Sequence, residues 1–382
     1  MRSLRQAHRR RGLSRDSGVA GPRVALDLLG GDTAPDAVVD GALLALDEQA
    51  DVAVVLVGPT DVAERLLSAR RPGWRDEPRL SLAAASQVVG MHEDPVRAVR
   101  AKRDATVRVC ARLVREGPGA GGADAMVSLG STGATLAAAV FTLTRLRGVA
   151  RPPLAAVIPS SSGDLVFLDA GATVECTPAL LTSFALVGAA YATVRLGVER
   201  PRVGLLTVGE EAGKGDAVRK AAHEQLTEAF DDLPGSFVGN VEGGDVPAGG
   251  PADVVVTDGF TGNVLAKGLE TAALTVTAAV RAHLAARGDV PDEVLDAVAG
   301  ATAHMSPEVL GGAVLLGVRG VVVVGHGAST ARGVASCIRT AADAARDGLV
   351  ARTAEALEAL VGDADRPAGT VESATDTPGA QP

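Results

Sequence analysis

Short apolar runs alternate with longer amphipathic stretches along most of the chain. The runs consist mainly of Val, Leu and Ala and lie at 23–27, 52–57, 124–128, 154–158, 202–208, 253–257 and 320–324. The stretches between them, at 34–48, 59–70, 131–146, 178–197, 214–229 and 329–347, have the apolar spacing of helices. Nearly continuous apolar strands separated by helices predict a three-layer α/β/α fold, in which a mostly parallel sheet lies between two layers of helices.

The alternation of strands and helices predicts a single α/β domain over 23–362. The Pro-containing segment 148–163 is the best candidate for a division of that domain into two lobes. The longest departure from the alternation is a helical excursion at 265–311. There we expect a long helix that begins around Asn263 and ends near Arg287, followed by a shorter helix at 291–299. We expect an Arg-rich arm at 1–22 and a polar tail at 363–382 to be disordered.

Composition and charge exclude several classes of function. Six Phe, one Trp and one Tyr are the only aromatic residues, and the net charge is −9, so nucleic acid is not an expected partner. Three cysteines without metal-ligand spacing indicate a reduced, cytoplasmic protein with no metal site. Charged residues interrupt every apolar run before it reaches about 18 residues, so we expect no transmembrane helix.

Three glycine-rich segments each follow an apolar run and precede a helix-like stretch. They lie at 30–32, 209–215 and 325–329. Glycine lets backbone N–H groups approach a ligand closely, and the N-terminus of the following helix favours negative charge. Parallel sheets bind their ligands at the carboxyl ends of strands, which is where these loops fall. The pattern therefore predicts a site for phosphate or another oxyanion.

Familiar nucleotide, zinc and serine-hydrolase motifs are incomplete or absent. Only three residues separate Gly209 from Gly213, and Gly215 stands where a P-loop needs Ser or Thr. The segment around Ser329 lacks the final glycine of a nucleophile elbow, and His223 is not followed by a second His at the zinc-protease spacing. What remains is a polar set at the strand ends. Its members are Asp27, Asp32, Ser128, Ser131, Thr132, Lys214, Asn240, Glu242, Asp258, Asn263, His326 and Ser329.

Several segments resemble the phosphate acyltransferase family of bacterial phospholipid synthesis. They are ALDLLGGDTAP (25–35), SLGSTGA (128–134), GATVECTP (171–178), RPRVGLLTVGEEAGKGD (200–216), GNVEGGD (239–245), DVVVTDGFTGNVLAK (253–267) and GHGAST (325–330). The resemblance implies transfer of a fatty acyl group from acyl-acyl carrier protein to inorganic phosphate, giving acyl phosphate, without a cofactor. It also implies an isocitrate/isopropylmalate dehydrogenase-like fold, a homodimer and a loose association with the inner face of the membrane. A membrane glycerol-phosphate acyltransferase is a further partner that the resemblance implies.

This reaction needs phosphate held beside a thioester and an oxyanion stabilised, because phosphate is already a nucleophile and a thiol of pKa about 8.5 leaves readily. We assign catalytic roles to His326, Lys214, Asn263 and Asp258. Substrate-binding candidates are Gly30, Gly31, Asp32, Ser131, Thr132, Gly213, Gly215, Asn240, Gly327 and Ser329. In the basic helical stretch 95–115, the residues Arg108, Arg112 and Arg115 share one face and are the candidate docking surface for the acidic carrier protein.

Other functions stay open at this point. A phosphotransacetylase-like acyltransferase that uses coenzyme A thioesters suits the same fold and the same phosphate chemistry. A non-catalytic anion-binding scaffold would bind phosphate without consuming a thioester. A decarboxylating dehydrogenase is the third alternative, and it would need a carboxylate cluster for a divalent metal.

Overall fold

The computed structural model describes residues 21–303 and 306–361, which contain eleven strands and thirteen helices. The strands are β1 Arg23–Asp27, β2 Ala53–Gly58, β3 Leu80–Ala84, β4 Ala125–Ser128, β5 Leu154–Ser160, β6 Gly163–Leu168, β7 Arg202–Leu206, β8 Ser236–Val241, β9 Val254–Val256, β10 Ala313–Leu315 and β11 Val321–Val324. The helices are α1 Asp36–Glu48, α2 Thr60–Arg70, α3 Pro95–Ala101, α4 Thr106–Glu116, α5 Thr132–Leu143, α6 Pro178–Arg195, α7 Ala217–Phe230, α8 Asp245–Ala248, α9 Gly259–Ala285, α10 Asp292–Ala303, α11 Pro307–Leu310, α12 Ala331–Arg346 and α13 Leu349–Val361.

All the strands join one sheet, in the order β3-β2-β1-β4-β11-β10-β5-β6-β9-β7-β8. Seven of the ten neighbouring pairs are parallel, which confirms the predicted α/β fold with a mostly parallel sheet. The antiparallel pairs, β11–β10, β10–β5 and β5–β6, lie together in the middle of the sheet. Strands β3, β2, β1, β4 and β11 therefore run in one direction, and strands β6, β9, β7 and β8 run in the opposite direction. Consequently the carboxyl ends of the two groups lie at opposite edges of the sheet.

Neighbouring residues along each strand face opposite layers of helices. Leu26 of β1 packs into a core with α1, α6, α12 and α13, whereas Ala25 belongs to a second core with α4 and α5. In the other half of the sheet, Phe167 of β6 packs with Leu265 and Leu269 of α9. Because both faces are covered, the strands bury their side chains on either side, which explains their continuous Val and Leu runs.

Every predicted apolar run is a strand and every predicted amphipathic stretch is a helix, with bounds that shift by a few residues. The basic stretch 95–115 was predicted as one helical unit but forms two helices, α3 and α4, separated at 102–105. The long helix of the excursion begins at Gly259, not at Asn263. The reason is a cap: the Asp258 carboxylate accepts the N–H of Thr261 at 2.9 Å.

The second helix of the excursion is longer than predicted. The second helix, predicted at 291–299, is α10 and extends to Ala303. Helix α10 packs on α9, of which only Gly259 and Gly262 are fully buried. The predicted arm at 1–22, apart from its last two residues, and the predicted tail at 363–382 lie outside the described residues.

One described helix, α6, is long and apolar enough to cross a membrane by length and composition alone. The prediction that charged residues interrupt every apolar run before about 18 residues is therefore wrong for this stretch, since no charged residue lies between Glu175 and Arg195. In the fold its residues Leu181, Phe184 and Tyr191 are buried, and the helix packs against α7, α13 and β9. The core helix of a globular domain has this same composition, because its apolar surface is covered by neighbouring elements. The apolar character of α6 is therefore accounted for by its place in the core.

Candidate active site

The first group of candidate residues lies where β1, β4 and β11 end. We call the loops 28–35, 129–131 and 325–330 the histidine edge. The N–H of Asp32 donates to the Gly327 carbonyl at 2.8 Å, and the Thr33 hydroxyl donates to the Ser329 carbonyl at 2.9 Å. A Cβ on Gly30 would lie 2.9 Å from the Gly130 nitrogen, so only glycine allows these two loops to meet. Two of the three glycine-rich segments, 30–32 and 325–329, therefore do come together.

A buried carboxylate supports the histidine edge from below. Asp27 is 2% exposed, accepts the Ser128 hydroxyl at 2.8 Å and accepts the N–H of Leu29 at 3.2 Å. Burial raises the pKa of the Asp27 carboxyl, although hydrogen bonds from Thr106, Ser128 and the loop backbone oppose that shift. Asp27 thus fixes the shape of the loops and does not itself face a ligand.

His326 lies exposed on this edge, in a compact turn. Its Nδ1 accepts the N–H of Ala328 at 3.3 Å, and its carbonyl accepts the Ser329 hydroxyl at 2.7 Å. An Nδ1 that accepts a hydrogen bond assigns the proton of the neutral ring to Nε2, which is then free to donate. Ser131 caps α5 by accepting the N–H of Ala134 at 3.4 Å, and Thr132 opens that helix. The ring of His326 is accordingly the group of this edge best suited to bind an oxygen of a substrate.

The second group of candidate residues lies where β6, β9, β7 and β8 end. We call the loops 169–177, 207–216, 242–244 and 257–258 the lysine edge. The 209–215 loop is held from inside: the Asn240 amide donates to the Glu211 carbonyl at 2.7 Å, and the Thr207 hydroxyl donates to the Gly209 carbonyl at 2.6 Å. His223 makes a 3.1 Å contact with the Asn240 side-chain oxygen. Asn240 therefore positions the loop.

Lys214 stands two residues before the cap of α7. The helix begins at Ala217 because Asp216 caps it, so Lys214 lies in the loop and not in the first helical turn. Its side chain is 52% exposed, and its Nζ lies 3.8 Å from a Glu211 carboxylate oxygen. Gly215 adopts φ +90°, which lets the loop turn into the helix. The ammonium group is consequently held loosely and remains accessible to an anion.

An arginine that the sequence did not single out organises this edge. Arg219 forms an ion pair with Asp258, and the two side chains are only 14% and 13% exposed. Arg219 also donates to the Leu206 carbonyl at 3.1 Å and to the Asp216 carboxylate at 2.8 Å. Burial works against ionisation of Asp258, but the hydrogen bonds from Thr261 and the charge of Arg219 hold the pKa of that carboxyl below its usual value. Both oxygens of Asp258 are thus occupied within the protein.

The 169–173 loop locks the beginning of α9 in place. The buried carboxylate of Asp169 accepts backbone N–H groups of Leu154, Gly171, Ala172 and Thr173 at 2.6–3.1 Å. The N–H of Gly259 donates to the Thr173 carbonyl at 2.7 Å, and a Cβ on Gly262 would lie only 1.9 Å from the Asp169 carbonyl oxygen. This close approach needs glycine at both positions. Gly171 in turn approaches the Asn263 side chain, where an added Cβ would lie 3.6 Å from it.

An open cleft of about 450 Å³ lies beside this loop. Its lining combines the Arg219–Asp258 pair with the apolar side chains of Val174 and Phe260, both well exposed. Burial, followed by the charges of nearby carboxylates, raises the pKa of the Cys176 thiol in this cleft to about 11. That thiol stays protonated near neutral pH and is a poor nucleophile.

Helix α9 connects the two edges. Asn263, Lys267 and Glu270 are spaced i, i+4 and i+7, and so they share one face of the helix. Burial raises the pKa of Glu270, while the charges of His326 and Lys267 oppose that shift. Glu270 lies roughly 10 Å along the helix axis from Asn263, and it is near enough to His326 for the two charges to interact.

The structure thus divides the predicted set between two edges. The histidine edge holds Gly30, Gly31, Asp32, Ser131, Thr132, His326, Gly327 and Ser329, and the lysine edge holds Gly213, Lys214, Gly215, Asn240, Asp258 and Asn263. Sequence reasoning missed Arg219, for which the sequence carries no motif. It also missed Asp169, although that carboxylate follows an apolar run directly, as Asp27 does.

The predicted docking face on α4 is partly engaged within the protein. Arg108 donates to the carbonyls of Val99 at 2.9 Å and Arg100 at 3.4 Å, so it ties α4 to α3. Arg112 faces Glu116 at 3.8 Å, and Arg115 is exposed. The three guanidinium groups therefore differ in how freely they could meet a partner.

Comparison with known proteins places the chain in a family. The model of a family described as "Fatty acid synthesis protein" matches residues 22–352. The chain is 41% identical to the phosphate acyltransferase of Salinibacter ruber, over 89% of this chain and 99% of that protein. It is 43% identical to the phosphate acyltransferase of Desulforudis audaxviator, over 86% of this chain and 94% of that protein.

Solved structures share the fold. A phosphotransacetylase from Streptococcus pyogenes is similar with a TM-score of 0.53 and 19% identity, over 87% of this chain and 97% of that one. A branched-chain phosphotransacylase from Enterococcus faecalis is similar with a TM-score of 0.52 and 14% identity, over 87% and 98%. At this identity the likeness shows the fold alone. The curated relatives carry the family assignment: this chain belongs to the family of the phosphate acyltransferases.

Proposed function

We propose that this enzyme transfers a fatty acyl group from acyl-acyl carrier protein to inorganic phosphate and releases acyl phosphate for phospholipid synthesis. The observation that carries the proposal is the match to curated phosphate acyltransferases over nearly their whole length. The residues agree with a reaction that needs no protein nucleophile, since the cleft thiol of Cys176 is held protonated by its raised pKa.

In the proposed reaction, a phosphate oxygen attacks the thioester carbonyl carbon. The carbonyl oxygen becomes an oxyanion, which re-forms the C=O bond as the C–S bond breaks. The leaving thiolate takes up the proton that hydrogen phosphate gives up, so the carrier protein leaves as a thiol. The protein contributes by holding the two reactants together and by stabilising the oxyanion. The exposed Lys214 and the 209–215 loop are suited to hold phosphate, because a loosely paired ammonium group exchanges Glu211 for an incoming anion at little cost.

The remaining roles follow from position. Asn263 shares the lysine edge with Lys214, so we assign it to phosphate, and we assign His326 to the oxyanion of the thioester. The Nε2–H of His326 is the donor there. Asp258 acts through Arg219 as a positioning residue, since its oxygens are already occupied. The glycines and hydroxyls of the histidine edge form the wall of the site.

Further properties belong to the same proposal. We propose a single acyltransferase domain over 23–362 with an isocitrate/isopropylmalate dehydrogenase-like fold. We also propose that the enzyme works as a homodimer in the cytoplasm, in loose contact with the inner face of the membrane. There a glycerol-phosphate acyltransferase would receive the product. The largely exposed α9, which carries Leu274, Val276 and Val280 on its surface, supports a contact of this kind.

A donor assay tests the proposal. The purified protein is incubated with palmitoyl-acyl carrier protein or with palmitoyl-coenzyme A, with and without phosphate, and free thiol is measured over time. We expect release that depends on phosphate and is faster with the carrier protein. Preference for coenzyme A would favour the phosphotransacetylase-like alternative. Phosphate binding without thiol release from either donor would indicate a scaffold protein.

A further inference from the structure

A surface next to the histidine edge combines exposed apolar and cationic side chains. It is formed by Val88, Met91, Val96, Arg97, Arg100, Arg103 and Phe141, and we call it the α3 patch. Met91 is 65% exposed and Phe141 44%, which is unusual for large apolar side chains outside an interface. Arg100 stacks on the ring of Phe141 at 4.8 Å, so α3 and α5 present one continuous surface.

The three arginines of the α3 patch are not paired with carboxylates in the described part of the chain. Within the described residues, Arg97, Arg100 and Arg103 form no ion pair with a carboxylate. The nearby acids are engaged elsewhere: Glu93 binds Lys102 at 2.5 Å, Asp94 caps α3, and Asp104 accepts the Ser86 hydroxyl at 2.7 Å. Residues 88–104 carry four cations against three carboxylates, so this surface has a net charge of +1 on a protein whose net charge is −9. Such a local reversal of sign marks a surface for an acidic partner.

The patch also lies beside the site. Pro95 opens α3 and packs against the first turn of α5, where a Cβ on Gly133 would lie 2.8 Å from the proline ring. That same position is 3.9 Å from the Ser131 hydroxyl, at the histidine edge. A partner seated on the α3 patch would accordingly deliver a flexible arm to the loops around Ser131 and His326.

We infer that the α3 patch docks an acidic helix of the acyl carrier protein, with its carboxylates on Arg97, Arg100 and Arg103 and an apolar side chain between Met91, Val96 and Phe141. This inference rests on the proposed function and replaces the α4 face as the docking surface. The α4 face is the weaker candidate because Arg108 is tied to backbone carbonyls and Arg112 faces Glu116. It also has no exposed large apolar side chain of its own.

The test compares two charge reversals of equal size. R97E/R103E reverses two charges of the α3 patch and leaves the Arg100–Phe141 contact intact. R112E/R115E reverses two charges on α4. We expect R97E/R103E to raise KM for palmitoyl-acyl carrier protein by about tenfold or more at low salt, with the difference shrinking as salt rises. KM for phosphate and turnover of a carrier-free thioester should not change. R112E/R115E should resemble the wild type.

A third variant separates the apolar part of the surface. M91Q should weaken carrier binding by a factor that persists at high salt, because burial of an apolar side chain is not screened. Binding of the carrier protein by fluorescence anisotropy is measured alongside turnover for every variant. Wild-type-like binding and KM in R97E/R103E and M91Q, or a larger loss in R112E/R115E, would overturn the inference. Carrier binding without turnover in the wild type would instead contradict the proposed function.

Discussion

Replacing Arg219 by Met removes the cation that holds the lysine edge together. The methylene groups keep their packing, while Asp258 loses its ion pair and the Leu206 carbonyl and Asp216 lose hydrogen bonds. Both partners of the pair are about six-sevenths covered, so the charge left on Asp258 is poorly solvated. We predict lower stability together with lower turnover, because the cap of α9 depends on the same carboxylate.

The size of the stability loss follows from what Asp258 keeps. Removing one partner of a buried ion pair costs about 3–5 kcal/mol. Asp258 retains the N–H and the hydroxyl of Thr261, at 2.9 and 2.8 Å, so the lower end of about 3 kcal/mol applies. With an unfolding entropy of about 2.1 cal/mol/K per residue over roughly 340 residues, the expected drop in Tm is about 4 °C.

The stability difference between the wild type and Arg219→Met depends on pH. The pKa of Asp258 is lowered in the folded protein, so its ionised form adds stability above the unfolded value of 3.8 and loses it as pH falls through the folded value. The gap in Tm between the wild type and Arg219→Met should be full at pH 7. It should shrink in acid as Asp258 takes up a proton, first in Arg219→Met, where the carboxylate has lost its cation, and then in the wild type.

The matched control is Arg202→Met. Arg202 pairs with Asp253 at 2.7 Å at the amino end of β7, away from the lysine edge, and is 49% exposed. Its loss should cost about 1 kcal/mol or less and leave turnover unchanged. Calorimetry and thiol release at 25 °C are compared for both variants. An Arg219→Met protein with the Tm and turnover of the wild type would show that the pair neither supports α9 nor positions the site.

The other predictions concern single positions. Lys214→Ala should raise KM for phosphate by about tenfold, the lower end for the loss of a charge-assisted bond, while Lys220→Ala in the helix that follows should leave KM unchanged. Equal phosphate saturation in both variants would exclude Lys214 from the phosphate site. His326→Ala should lower turnover by about a hundredfold, the usual loss for an oxyanion donor, whereas His326→Gln, which keeps a donor, should retain part of the rate. Wild-type rates in both variants would make His326 a turn residue only. Gly262→Ala should prevent stable folding, since its Cβ would meet the Asp169 carbonyl at 1.9 Å, while Gly268→Ala in open space should raise stability by about 0.5–1 kcal/mol; soluble, stable Gly262→Ala would refute the packing argument.

The sequence predicts those elements whose own residues decide their structure. Long Val and Leu runs such as β2 and β11 are buried on both faces, so their composition alone identifies them. The four missed strands lack that signature. β3 and β8 are edge strands with half-exposed residues, β10 has only three residues, and β6 begins with exposed Gly163 and Asp164.

The missed strand β10 has consequences for the site. Its antiparallel pairing with β11 and β5, together with the β5–β6 pairing, reverses the direction of the sheet. The three glycine-rich loops therefore do not share one edge, although each does lie at the carboxyl end of a strand. The Pro-containing segment 148–163, which the sequence marks as a candidate division, contains β5, one of the strands that pair in antiparallel fashion. Local patterns gave each loop its chemistry, but only long-range pairing decides which loops meet.

The proposed site draws residues from two edges, so it needs an element that fixes one edge relative to the other, and α9 has the geometry for this. Helix α9 has 27 residues and is about 40 Å long, so it continues well past Glu270, the residue whose charge interacts with that of His326. Its start cannot drift, because Gly262 lies against the Asp169 backbone and Asp258 is held by Arg219. A rigid helix held at one end carries that constraint to Lys267 and Glu270. We therefore expect the Arg219–Asp258 pair at the lysine edge to influence the surroundings of His326 at the histidine edge as well.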